Sequence, residues 1–113
     1  MKIVIATLSL LMSANALSAG WISLEPKDNA GVEVFPSNFS SGIAAGVYFV
    51  HKSTFVSSET CSSKQFVAIT DPKLADQTLS IGMFALASNK TIKLWVDGCS
   101  NNYLHGKAIK VLP

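Results

Sequence analysis

Between Ile92 and Val96 the chain alternates, with Ile92, Leu94 and Val96 on one side and Lys93 and Trp95 on the other. A period of two marks a strand with one face turned to a core. Upstream the period changes. From Leu74 to Ser88 apolar residues recur at helical spacing, with Ala75, Leu79, Met83, Leu86 and Ala87 on one broad face. Asp71-Pro72 is a strong helix start, because Asp caps free N–H groups and Pro suits the first helical position. Asn89 suits the left-handed residue that ends a helix. The Leu79, Met83 and Leu86 stripe is expected to pack on the core, and Lys73, Asp76 and Gln77 to face solvent.

The remaining segments are short and β-prone. Gly20 to Phe35 holds two apolar stretches, Trp21-Ile22-Leu24 and Val32-Val34-Phe35, separated by a turn from Pro26 to Gly31. Pro36 to Gly42 is a loop. Ile43 to His51 and Gln65 to Thr70 read as strands, with a Ser-rich loop from Thr54 to Lys64 between them. Asp97-Gly98 signals a turn, and Tyr103 to Leu112 reads as a last strand. The order is three or four strands, one helix, then two strands. It predicts a mainly β domain with one helix, and fits a small five-stranded OB-fold barrel with the helix between strands 3 and 4.

The first 19 residues read differently. Lys2 precedes an apolar run from Ile3 to Met12, and Ala14-Asn15-Ala16 fits a signal-peptidase site. The run is about half the ~20 residues needed to span a bilayer. Residues 1–19 are therefore expected to be a signal peptide cleaved between 16 and 19. Residues 20–113 would then be one secreted or periplasmic domain of a bacterial cell, with no membrane span.

Charge narrows the partners. Nine lysines, no arginine and seven acids give a net charge of +2. Arginine is the favoured reader of phosphates and base edges, so its absence at near-zero charge argues against a nucleic-acid binder. Cys61 and Cys99 are the two cysteines. In an exported protein an even pair reads as a disulfide, with two buried thiols as the alternative. Closing a loop of about 38 residues would contribute roughly 3–4 kcal/mol. The pair lacks metal-ligand spacing, and neither a metal nor a cofactor is expected. His51 and His105 have Asp71 or Asp97 as conceivable partners, but no G-x-S-x-G nucleophile elbow accompanies them. Glu25 and Glu33 read as a solvated strand face. The chain is expected not to be an enzyme.

The half from Cys61-Ser62-Ser63-Lys64 through the helix, Ser88-Asn89-Lys90, Ile92 to Val96, Asp97-Gly98-Cys99 and Lys107 to Leu112 resembles the B subunits of subtilase cytotoxin and typhoid-type toxins. That resemblance implies an OB-fold, export and a Cys61–Cys99 bridge. It further implies a pentameric ring that recognises sialylated glycans. Family members hold the sugar with a serine near the first strand and an aromatic on the strand after the helix. Ser18 or Ser23 stands where the serine is expected. Val96 stands at the place of the aromatic, with Trp95 one residue before it.

Trp95 is the first candidate for ligand or interface contact, since alternation turns it away from the core face. Trp21, Ser23 and Tyr103 join it, the last beside the polar Asn101-Asn102. The expected function is a non-enzymatic binding module for a glycan or protein partner, as a possible homo-pentamer. The competing expectation is a small stand-alone periplasmic protein with a structural or inhibitory role.

Overall fold

The computed structural model describes residues 19–113. The expected signal peptide, its cleavage region and Ser18 lie outside the described residues. Six strands and one α-helix follow in the order β1 (Gly20–Leu24), a 3-10 turn (Pro26–Asp28), β2 (Asn29–Phe35), β3 (Gly46–His51), β4 (Ser63–Ile69), α1 (Pro72–Ala87), β5 (Ile92–Ser100) and β6 (Tyr103–Val111). The strands form one mixed sheet, β1-β5-β6-β4-β3-β2. Its neighbours are antiparallel except β4 and β6, which run parallel.

The mainly β fold with one helix is as expected, but two details of the five-stranded expectation are corrected. There are six strands, and the helix lies between the fourth and fifth. Pro26 is the cause: it lacks an N–H, and the 3-10 turn it opens separates the first apolar stretch from the second. Hydrogen bonding also leaves the sheet unclosed, because its edges β1 and β2 do not pair. These two edges are nevertheless consecutive in the chain, joined through Glu25 and that turn.

One face of the sheet makes the core. Ile22 and Leu24, Val47 and Phe49, Val67 and Ile69, Ile92, Leu94 and Val96, and Leu104 are all buried there. The strand alternation read from residues 92–96 holds: Ile92, Leu94 and Val96 are buried, while Lys93 and Trp95 are only partly covered.

The helix starts and stops where its caps direct. The Asp71 carboxylate accepts the N–H groups of Lys73 at 3.0 Å and Leu74 at 3.4 Å. At the other end Asn89 adopts φ 53°, and the Lys90 N–H reaches back to the Ala85 carbonyl at 2.9 Å. This is a Schellman closure.

The buried stripe is not the expected one. Thr78, Gly82 and Ala85 are buried, flanked by Leu74, Ala75 and Leu79. Met83 and Leu86 are 53% and 40% exposed, so of the expected trio only Leu79 packs on the core. Lys73, Asp76 and Gln77 do face solvent. Close approach explains the choice of face. A Cβ on Gly82 would sit 2.7 Å from the Phe49 ring, so the helix backbone rests almost directly on that aromatic. Small residues allow this and large ones do not, which turns Ile81, Met83, Phe84 and Leu86 outward.

Two segments far apart in the chain are fastened together by the cysteines. Cys61, in the loop before β4, is bonded to Cys99 in the last turn of β5, with the Cα atoms 5.7 Å apart. Asp97-Gly98 does not end that strand, as its turn-like composition suggests. Gly98 takes φ 76° and the ladder resumes after an irregularity, so the reversal falls at Asn101-Asn102. The buried Glu59 carboxylate accepts the Gly98 N–H at 2.9 Å, which locks the irregularity to the same loop.

Candidate functional site

The outer face of β1, β5 and β6 gathers three of the four candidate residues. Antiparallel register sets Trp21 opposite Trp95 and Ser23 opposite Lys93. Because each pair points away from the buried Ile22, Leu24, Leu94 and Val96, all four emerge on the same outer surface. The two indoles meet edge to face, with centroids 5.6 Å apart and planes at 73°. Such a pair contributes about 0.5–1.5 kcal/mol beyond its buried area.

Two lysines complete the patch. Lys93 and Lys110 are direct cross-strand neighbours on β5 and β6. Like charges so placed repel, and each is drawn to a neutral partner instead. The Lys93 ammonium donates to the Ser23 hydroxyl at 2.6 Å, and the Lys110 ammonium lies 4.5 Å from the Trp21 ring centroid. The second contact is a cation–π interaction, worth about 0.5–1 kcal/mol at an exposed site. Trp21 is still 42% exposed.

On its other flank Trp21 borders a cleft of about 350 Å³ of mixed character, lined by Trp21, Ile22, Ser23, Glu25, Asp28, His51 and Val56. A smaller hollow continues beside it between residues 19–22 and 56–58. The loop carrying Val56 is held by several ties. Phe55 is buried and its N–H donates to the Lys64 carbonyl at 2.8 Å, the Lys64 ammonium donates to the Ser57 carbonyl at 2.8 Å, and Cys61 bonds Cys99. The disulfide thus helps to build one wall of the cleft.

The geometry of His51 bears on catalysis. Its neighbours are Asp28 and Ser53, and the two acids singled out from sequence are engaged elsewhere. Asp71 caps the helix, and Asp97 pairs with Lys107 at 3.3 Å. The His51 Nδ1 accepts the Ser53 backbone N–H at 2.9 Å, with the Ser53 hydroxyl at 3.3 Å. Its Nε2 lies 3.9 Å from the Asp28 carboxylate, beyond hydrogen-bond range. The Nδ1 lone pair that would activate the serine is therefore spent on the backbone. The trio builds a tight turn at the end of β3 and holds the imidazole against the cleft. His105 is elsewhere, 3.3 Å from the Thr70 hydroxyl.

Tyr103, the fourth candidate, is separate from the tryptophan patch. It opens β6 and joins a chain of rings. Its centroid is 5.3 Å from Phe66 and 5.8 Å from Tyr48, Tyr48 is 5.1 Å from Phe35, and Phe35 is 4.8 Å from Phe39. The loop after β2 carries Phe39 and Ile43 to this cluster, and the Tyr48 hydroxyl donates to the Ala44 carbonyl at 2.7 Å. Burial, reinforced by Tyr103, holds the Tyr48 phenol above its ordinary value of 10.0, and the hydrogen bond to Ala44 only partly offsets this. The chain pattern concealed the cluster because its rings come from four strands and a loop.

Among the described residues no group of three or more His, Cys, Asp or Glu side chains could hold a metal ion, and no helix is long and apolar enough to cross a membrane. No protein-family model, curated protein or solved structure matches this chain.

Proposed function

We propose that the chain is an exported, non-enzymatic carbohydrate-binding module of OB type, and that Trp21 and the cleft beside it form the binding site. The observation that carries this reading is an indole left 42% exposed at the border of a cleft that mixes apolar and polar groups. Sugars present an apolar C–H face and a ring of hydroxyls. An exposed indole stacks on the first, and Ser23, Glu25, Asp28 and His51 offer donors and acceptors to the second. Lys93 and Lys110 on the opposite flank of Trp21 add attraction for an acidic sugar.

The OB reading rests on strand order. If β1 and β2 are two halves of one first strand broken at Pro26, five strands remain and α1 falls between the third and fourth. The broken strand then borders β5 with its first half and β3 with its second, which joins the sheet edges through the chain itself. OB-folds use such surfaces for oligosaccharides and oligonucleotides. Export rests on the signal-like N-terminus and agrees with a bonded cysteine pair. The exposed Ile81 and Phe84, which with the half-buried Val111 line a hollow of about 400 Å³, favour self-association over a stand-alone monomer.

A glycan array probed with the purified protein, alongside native mass spectrometry, tests the reading. Binding to defined glycans that is lost in Trp21→Ala supports it. Absence of glycan binding, or preferential capture of a single-stranded oligonucleotide, replaces it.

A further inference from the structure

The second aromatic cluster encloses space that the tryptophan site does not use. A cavity of about 80 Å³ is lined by Glu33, Phe35, Ile43, Tyr48, Phe66 and Tyr103. That is roughly half the ~150 Å³ that accepts a benzene ring, so an occupant would be a compact group of a few heavy atoms. Four of the six lining residues are aromatic. Phe35 stands at 90° to Tyr48, Tyr48 at 86° to Tyr103, and Tyr103 at 69° to Phe66. Successive rings nearly at right angles wall a space on more than one side, as the panels of a box do.

One charge faces this box. Glu33 lies directly across the β2–β3 ladder from Tyr48, and its carboxylate has no ion-pair or hydrogen-bond partner among the described residues. No lysine lines the cavity. Beside the Glu33 carboxylate the lining offers a primary ammonium only the phenol oxygens of Tyr48 and Tyr103 as acceptors, against four aromatic rings. A group that suits such a site is positive, compact and free of N–H donors. Aromatic rings attract cations through their negative faces, and cages of them are a known means of holding methylated ammonium groups.

We propose that this cavity binds a quaternary trimethylammonium group, with the rings of Phe35, Tyr48, Phe66 and Tyr103 as its walls and Glu33 as its counter-charge. The group would come from a small soluble compound or from a choline lipid headgroup. This site is independent of the carbohydrate reading.

The test is an NMR titration of the purified protein with choline and with 3,3-dimethyl-1-butanol, its uncharged analogue of nearly identical shape. Saturable choline binding is expected, with the neutral analogue about tenfold weaker or worse, as the loss of cation–π attraction requires. Glu33→Gln, at an exposed side chain whose change leaves the fold intact, should weaken choline several-fold and leave the neutral analogue unaffected. Tyr103→Leu should weaken choline similarly, with Phe66→Leu as a second variant should the first unfold. Co-sedimentation with phosphatidylcholine but not phosphatidylglycerol vesicles would identify the lipid source. Choline binding without vesicle binding would identify a soluble ligand. Equal affinity for the neutral analogue, or no choline binding up to about 100 mM, would overturn the proposal.

Discussion

The outer surface of the sheet carries two aromatic groups, and they are built in opposite ways. Around β2, β3, β4 and β6, Phe35, Tyr48, Phe66 and Tyr103 lock together beneath a loop, with Tyr48 almost wholly buried. Around β1 and β5, Trp21 and Trp95 meet edge to face, a lysine lies over Trp21, and Trp21 is left 42% exposed beside a cleft. The first arrangement gains stability from burial. The second forgoes much of that gain, about 25 cal/mol for each Å² of apolar surface left wet. The exposed indole is the feature on which the proposed carbohydrate site rests, whereas in the packed cluster the rings serve the fold and only the cavity between them is open to a ligand.

The comparison is broken most easily by truncation. Tyr48→Ala removes a buried ring and its bond to Ala44, and should cost about 3–5 kcal/mol in denaturant unfolding. Trp21→Ala should cost about 1–2.5 kcal/mol, the sum of one edge-to-face pair, one exposed cation–π contact and a partly covered ring. Equal costs would mean that the two surfaces are equally structural. Next in size, Cys99→Ser should lower stability by about 3–4 kcal/mol through the freed 38-residue loop. It should also loosen the Val56 wall of the cleft, seen as faster amide exchange at residues 56–58.

The helix supplies smaller effects with a clear sign. On propensity alone Gly82→Ala stabilises a helix by up to about 1 kcal/mol. Here the new methyl would press on Phe49, so a net loss of about 1–3 kcal/mol is expected in thermal or denaturant melts. Met83→Ala, on the exposed side, should lie within about 0.5 kcal/mol of the parent protein as a monomer. A large loss at Met83 with none at Gly82 would reverse the assignment of the buried face.

These same elements show what was legible from sequence. The strand 92–96 was clear, because a period of two leaves one solution for which side chains face the core. Helix ends were clear as well, since Asp71-Pro72 and Asn89 act locally. The helix face was not, because apolar residues surround α1 and the decision rests on how near Phe49 comes to Gly82. The break between the first two apolar stretches was visible at Pro26, but its effect on the strand count depends on which strands pair. Of the candidate site, Trp95 was found by alternation, Ser23 by the family resemblance, and Trp21 as the aromatic of the first apolar stretch. Their meeting was not, because the β1–β5 ladder joins segments about 70 residues apart. Glu25, Asp28 and His51 gave no local sign of lining one cleft, and Tyr103 gave none of joining a ring cluster.

The central claim, that Trp21 is exposed for binding, is tested most directly by one paired measurement. The parent protein and Trp21→Ala are titrated with the strongest ligand of a glycan array while their unfolding midpoints are recorded. The account predicts at least a tenfold loss of affinity in the variant, with its midpoint lowered by roughly 5–15 °C and still above the titration temperature. Unchanged affinity in a variant that remains folded would contradict it.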